Sequence, residues 1–377
     1  MNEKIARFLA ERRVETPFLV VDLDVVEENY RALTAALPDA KVFYAVKANP
    51  APQILHRLND LGSSFDTASV VEIQDALAAG ATPERISYGN TIKKQSDIAK
   101  AHALGVNLFA FDSEAELRKI AEAAPGARVF CRILTSGEGA DWPLSRKFGC
   151  EPSMAFDLLL KAADMGVVPY GISFHVGSQQ RDPMQWDAAI AATAKLFQDL
   201  EHRGIMLRMV NLGGGFPTRY QKDMPTPAEY GNAIAESMRA HFGNRIPETI
   251  VEPGRGMVGN AGVIESEVVL ISRKSENDPK RWVYLDIGKF GGLAETMDEA
   301  IKYPLGFDRE LTAEGEAVVL AGPTCDSADV MYEKEEYKLP LDLAIGDRIR
   351  IGSTGAYTTT YSAVAFNGFK PLASYYI

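Results

Sequence analysis

Val42-Phe-Tyr-Ala-Val46 is an unbroken apolar run that ends on Lys47, and it is the first of eight such runs before residue 253. The others lie at residues 63–65, 86–88, 108–111, 128–133, 170–174, 209–212 and 249–251. A short run without polar alternation suits a strand buried on both faces, the condition of a parallel sheet. Amphipathic stretches follow the first seven runs, among them residues 69–79, 113–124, 153–166, 183–204 and 227–242, and their spacing predicts helices. Ser69/Glu72 and Ser113/Glu116 carry the Ser-x-x-Glu pattern of a capping box. A further helix near residues 25–37 could fill the place that the eighth leaves empty. No break in composition divides the series, so a (β/α)₈ barrel fits better than an open doubly wound sheet.

After Gly262 the texture changes to strand-like runs at 267–271, 281–287, 317–321, 347–351 and 362–366, which read as a mainly-β domain. Residues 16–21 form a lone N-terminal run that can join it. The expected division is a barrel over 24–260, with 1–23 and 261–377 making the β-domain; a chain of 377 residues has room for both. Forty Lys and Arg against 51 Asp and Glu give a net charge of −11, which disfavours nucleic acid and anionic membrane surfaces as partners. It leaves a small cationic substrate open. Cys131, Cys150 and Cys325 show no CxxC spacing and are odd in number, against a disulfide framework or a structural zinc site. Neither a signal peptide nor a membrane span is apparent, so the expected compartment is the cytoplasm.

In such a barrel chemistry sits where the strands end. The polar or glycine residues closing the eight runs are Lys47, Asp66, Asn90, Asp112, Arg132, His175, Gly213 and Glu252. Lys47 emerges from an apolar run, and desolvation favours the free amine that attacks an aldehyde. The plainer fate of one lysine is to snorkel at the rim. Asn211-Leu-Gly-Gly-Gly-Phe-Pro217 is a strand exit bare enough to close on a phosphate, and Glu252-Pro-Gly-Arg255 could grip the same group. A planar ring at His175 could stack on a flat cofactor, and Ser178 could donate to a phosphate. Glu72 and Glu116 are assigned to helix capping, and His56, His102, His202 and His241 to surface or packing roles. A lysine, a carboxylate, a histidine and a phosphate-binding set, with no metal cluster, match the needs of pyridoxal phosphate.

Seven motifs occur in order: Tyr44-Ala-Val-Lys47-Ala-Asn49, Phe65-Asp-Thr-Ala-Ser69, Phe174-His-Val-Gly-Ser178, Gly213-Gly-Gly215, Glu252-Pro-Gly-Arg255, Gly322-Pro-Thr-Cys325-Asp326 and Gly355-Ala-Tyr357. Together they resemble the ornithine/lysine decarboxylase family of pyridoxal-phosphate enzymes in its bacterial form, from about Thr16 to the Phe366-Asn-Gly-Phe369 region. The resemblance implies an alanine-racemase-like barrel and a C-terminal β-domain. It also implies a homodimer with shared active sites, acting in polyamine biosynthesis on ornithine to give putrescine, with lysine giving cadaverine as a possible second reaction. Lys47 would carry the cofactor, Glu252 would pair with its pyridine nitrogen, and His175 would stack on its ring. Ser178, Gly214, Gly215, Arg255 and Tyr357 would hold its phosphate, with Asp66 and Arg132 supporting the ring side. Cys325 and Asp326 would reach in from the partner subunit, the thiol returning a proton and the carboxylate receiving the distal ammonium.

One stretch departs from the pattern. Where eukaryotic ornithine decarboxylases carry a Tyr-Asp pair, this chain has Glu295-Thr-Met-Asp298-Glu299; Glu299 takes the aspartate's place, with Asp298 or Glu295 as alternatives. The nearest rival, meso-diaminopimelate decarboxylase, has Cys-Glu-Ser-Gly-Asp where this chain has Cys325-Asp-Ser-Ala-Asp329. Carboxynorspermidine decarboxylase and alanine racemase are more distant. A non-catalytic regulator of the antizyme-inhibitor kind is the alternative of another class, and the presence of Lys47, Cys325 and Asp326 argues against it.

Overall fold

The computed structural model describes residues 2–12, 14–142 and 146–377. They divide into two compact units, one of Glu27–Pro217 and Met224–Met257, the other of Met1–Val26, Thr218–Asp223 and Val258–Ile377. The first holds a closed parallel barrel of Ala40–Ala45, Ser64–Thr67, Ile86–Tyr88, Leu108–Phe111, Arg128–Arg132, Val168–Ser173, Met209–Asn211 and Glu248–Val251. Each strand pairs with its neighbours in chain order, and Glu248–Val251 returns to Ala40–Ala45 to close the ring. Inside lie Phe43, Leu108, Ala110, Phe130, Met209 and Ile250, contributed by five different strands. Their bulk makes the interior a packed core and leaves chemistry to the strand ends. Gly171 is required there, because a Cβ would sit 2.3 Å from the Met209 carbonyl oxygen.

The helices depart from expectation in two instructive places. Ser69 and Ser113 accept the N–H groups of Glu72 and Glu116 as expected, but the glutamates do not complete the boxes. Glu72 accepts the Ala68 N–H, and Glu116 is buried against the ammonium groups of Lys93 and Lys119. The reciprocal box is at Thr226/Glu229 instead, opening helix Pro227–Phe242. The stretch at 183–204 divides into a 3₁₀ turn, Pro183–Trp186, and helix Asp187–Glu201.

The second unit is built on an eight-stranded sheet in which Phe18–Val21 pairs antiparallel with Gly262–Ser272 and parallel with Ala373–Tyr376. Helix Glu3–Glu11 packs Ile5, Phe8 and Leu9, spaced i, i+3, i+4, against Phe18, Val20 and Val263. The strand expected at 362–366 is absent; Ala365 and Asn367 adopt left-handed φ of +59° and +50°, incompatible with an extended run, and Phe366–Gly368 is a 3₁₀ turn. Val330–Pro340, whose charged alternation does not read as apolar, is an 11-residue strand. Among the described residues no helix is long and apolar enough to cross a membrane, and no group of three or more His, Cys, Asp or Glu could hold a metal ion.

Candidate active site

The three glycines at 213–215 form a bare cradle for a substantive reason. A Cβ at Gly213 would fall 2.1 Å from the Phe174 carbonyl oxygen, one at Gly214 2.7 Å from that of Glu252, and one at Gly215 2.6 Å from that of Gly177. Gly213 and Gly215 also have φ of +68° and +103°, a region costly for any side chain. The exit is braced from behind. The Trp186 indole N–H donates to the Leu212 carbonyl, and its fully buried ring packs against Phe216 and Tyr230. The Tyr230 hydroxyl donates to the Gln180 carbonyl, while Gln180 N–H donates to Gly215 and Glu252 N–H to Gly213. The buried Arg255 places Nε and Nη2 3.4 and 3.3 Å from Ser178 Oγ. A bare backbone beside a guanidinium and a hydroxyl is the donor set a phosphate ester requires.

Beside the cradle stands His175. Its Nδ1 accepts the Gly177 N–H at 3.0 Å, so the neutral ring carries its proton on Nε2. Burial, then the charges of Arg132 and Lys47, push its pKa well below the ordinary 6.5. Glu252 follows strand Glu248–Val251, and the Asn211 amide donates to its Oε1 at 2.5 Å. Burial raises its proton affinity, while Asn211, Lys47 and Arg132 work the other way. Asp66 is driven well up by burial and then by the Glu252 charge, with Lys47 and a Ser87 hydroxyl bond opposing. Asp66, Arg132, His175 and Glu252 are set deep among protein atoms yet remain partly reached by solvent, as residues facing a binding space should be.

Lys47 differs from expectation in its surroundings. It lies in the 3₁₀ turn Val46–Ala48, flanked by buried neighbours, but its own side chain is exposed. It remains close enough for its charge to act on Asp66, Glu72, His175 and Glu252. Glu72, assigned to capping, therefore belongs to the electrostatic neighbourhood of the site. Asn211, which orients Glu252, stands two residues before the glycine run and has no role of its own in the sequence reading.

The remaining candidates lie in the second unit. Tyr357 has a left-handed φ of +56° and its ring lies 5.6 Å from that of Tyr361. Cys325 is exposed, and Asp326 Oδ1 accepts the Ala328 N–H in the following turn. Glu299 is committed elsewhere. Its carboxylate accepts the N–H groups of Glu333, Lys334 and Glu335 at 2.9, 2.7 and 2.6 Å; burial alone would raise its pKa, but these donors hold it below the usual range. A carboxylate so spent is a poor receptor for a substrate ammonium, whereas Asp298 beside it is exposed.

A family profile described as "Pyridoxal-dependent decarboxylase, pyridoxal binding domain" matches residues 23–259. The chain belongs to this family. It is a pyridoxal-phosphate-dependent enzyme that decarboxylates a basic amino acid. A lysine/ornithine decarboxylase of Selenomonas ruminantium is 36% identical over 371 residues, covering 98% of this chain and 91% of its own. The crystal structure of a Vibrio vulnificus lysine/ornithine decarboxylase complexed with putrescine matches with a TM-score of 0.88 at 29% identity, over 100% of this decarboxylase and 99% of that chain. A Paramecium bursaria Chlorella virus arginine decarboxylase bound to agmatine matches at 0.91 and 28%, over 100% of both chains.

Proposed function

We propose that this decarboxylase acts on L-ornithine to give putrescine, with L-lysine as its second substrate, in the cytoplasm and in polyamine biosynthesis. The observation that supports cofactor-dependent decarboxylation here is the cradle at 213–215, set between a neutral His175 and the paired Asn211 and Glu252. These residues fit pyridoxal phosphate: Gly214, Gly215, Ser178, Arg255 and Tyr357 hold the phosphate, His175 stacks on the ring, and Glu252 faces the pyridine nitrogen. Asp66 and Arg132 steady the ring side, and Lys47 supplies the amine that binds the cofactor covalently. Bound pyridoxal phosphate supplies an electron sink for the pair left at Cα when CO₂ departs.

The raised proton affinity of Glu252 is relieved when a protonated ring nitrogen lies against it, which keeps that nitrogen charged. Residues 24–260 form the cofactor domain, and 1–23 with 261–377 the β-domain. The active form is a homodimer in which the partner's Cys325 returns the proton to Cα. The partner's Asp326 receives the distal ammonium, with Asp298 in place of the occupied Glu299 as a second receptor. One methylene in a substrate changes discrimination by only about 1–3 kcal/mol, so activity on lysine accompanies activity on ornithine.

The test is incubation of the cofactor-loaded protein with L-ornithine, L-lysine, L-arginine or meso-diaminopimelate, following CO₂ and the amine product. The highest kcat/KM is expected for ornithine. Exclusive turnover of arginine or diaminopimelate would overturn the substrate assignment.

A further inference from the structure

Cys325 lies in a tight turn that one buried carboxylate organises. Asp329 is 2% exposed; its Oδ2 accepts the Thr324 N–H and hydroxyl at 3.1 and 2.7 Å, and its Oδ1 accepts the Lys289 N–H at 2.8 Å. Gly288 and Gly322 are bare because a Cβ on either would fall within 2.4 Å of that carboxylate. Asp329 thus fixes residue 324 and the Lys289–Gly291 turn together, but it makes no bond to Cys325 itself. That bond comes from 42 positions away, where Asn367 Oδ1 accepts the Cys325 N–H at 2.8 Å.

Asn367 belongs to a strained turn. Its φ is +50°, between Ala365 at +59° and Gly368 at +77°. An asparagine in such a turn commonly bonds its own backbone two residues on; this one spends its carbonyl on Cys325. The turn is seated by Phe366, whose ring lies 5.0 Å from that of Phe290, and by the Ala363 N–H, which donates to the Phe290 carbonyl at 2.8 Å. Phe290 in turn follows the Lys289 that Asp329 holds. The contacts close a ring: Asp329 to the 289–290 turn, Phe290 to Phe366, Asn367 to Cys325, and Thr324 back to Asp329.

We propose that Asn367 is a positioning residue for Cys325, fixing where the thiol proton is delivered. This rests on the reading that Cys325 is the proton donor. In the step concerned the S–H bond breaks and a C–H bond forms at substrate Cα, using the electron pair left by CO₂; the thiolate regains a proton from solvent. A displaced thiol leaves that electron pair to be protonated on the cofactor's carbon, and hydrolysis then releases an aldehyde and pyridoxamine phosphate.

The experiment compares Asn367→Ala, Asn367→Asp and Cys325→Ala in the cofactor-loaded dimer, measuring kcat, KM, pyridoxamine phosphate formed per turnover, and amide hydrogen exchange in peptide 322–329. In Asn367→Ala the Cys325 amide should lose protection. The kcat should fall about tenfold with KM nearly unchanged, as a small misplacement predicts, and pyridoxamine phosphate per turnover should rise several-fold. Asn367→Asp keeps an acceptor oxygen in the same place and should restore protection and partition. If Cys325→Ala raises misprotonation and Asn367→Ala does not, the positioning role is refuted. If Cys325→Ala leaves the partition unchanged, the proton-donor reading itself fails. Loss of exchange protection throughout the β-domain in Asn367→Ala would make the residue a fold determinant and overturn the proposal.

Discussion

Gly214→Ala is the cleanest perturbation of the cradle. Gly213 and Gly215 have left-handed φ, so a side chain there adds backbone strain to any clash; Gly214 does not, and its substitution tests space alone. The new methyl would sit 2.7 Å from the Glu252 carbonyl oxygen and 3.2 Å from His175 Nε2. The first distance cannot be tolerated, so the strand exits at 214 and 252 must part. Overpacking of this kind costs about 1–3 kcal/mol. If the displacement falls on the cofactor-binding geometry, that cost appears as roughly a 5- to 150-fold higher Kd for pyridoxal phosphate. If it falls on the fold, the apo protein loses about 2–4 °C in Tm per kcal/mol. Titrating the apo variant with pyridoxal phosphate and recording its thermal unfolding apportions the two. A Kd and Tm both equal to those of the parent would refute the claim that the exit is packed too tightly for a methyl.

Asn211→Ala removes the donor that lowers the proton affinity of Glu252, so the acid limb of the kcat/KM profile should move to higher pH; an unmoved limb would count against the Asn211–Glu252 link. Lys47→Ala should abolish the visible absorbance of lysine-bound cofactor, and survival of that band would reassign the lysine. Lys93 is wholly buried and its pKa is lowered to about 8 by burial, against support from Glu116. The unfolded chain holds that proton up to about 10.5, so between pH 8 and 10.5 it binds more protons than the folded one, and stability should rise with pH. Denaturant midpoints should show this slope in the parent and lose it in Lys93→Met.

The barrel is legible because its strands are buried on both faces, which leaves the mark Val42-Phe-Tyr-Ala-Val46 that composition alone reveals. The β-domain is less so. Val330–Pro340 has only Met331, Tyr332, Tyr337 and Leu339 buried along 11 residues, so charged side chains on its open face obscure the run. Residues 362–366 fail the other way: Val364 is 87% exposed, and an apolar look there reflects no strand. Within the site, Lys47, Asp66, Arg132, His175 and Glu252, whose charges act on one another in the folded chain, are marked in the sequence by their places at strand ends. Glu72 and Asn211 are not, because each does a familiar local job or none, and only the folded chain brings its charge or amide to Asp66 and Glu252. Glu299 shows the converse. A carboxylate at the right register looks available until the three N–H groups of a strand 34 to 36 residues away are seen to occupy it.

The neutrality of His175 ties these observations to a pH dependence. Burial is the first cause that disfavours its charged form, and Arg132 and Lys47 stand close enough to oppose a third positive charge as well. In the proposed site an uncharged imidazole would stack on the cofactor by contact alone and leave protonation of its ring nitrogen to Glu252, so that the two residues would divide their work. The same arrangement carries a stability cost on the acid side. Below the ordinary 6.5 the unfolded histidine takes a proton that the folded one refuses, so folding stability is lost as pH falls through that value. His175→Phe keeps a flat ring and removes the titration. Compared with the parent in denaturant melts at pH 5 and 7, the variant should lose less stability on acidification; an equal loss would mean that His175 is protonated in the folded enzyme, and the division of labour with Glu252 would fall with it.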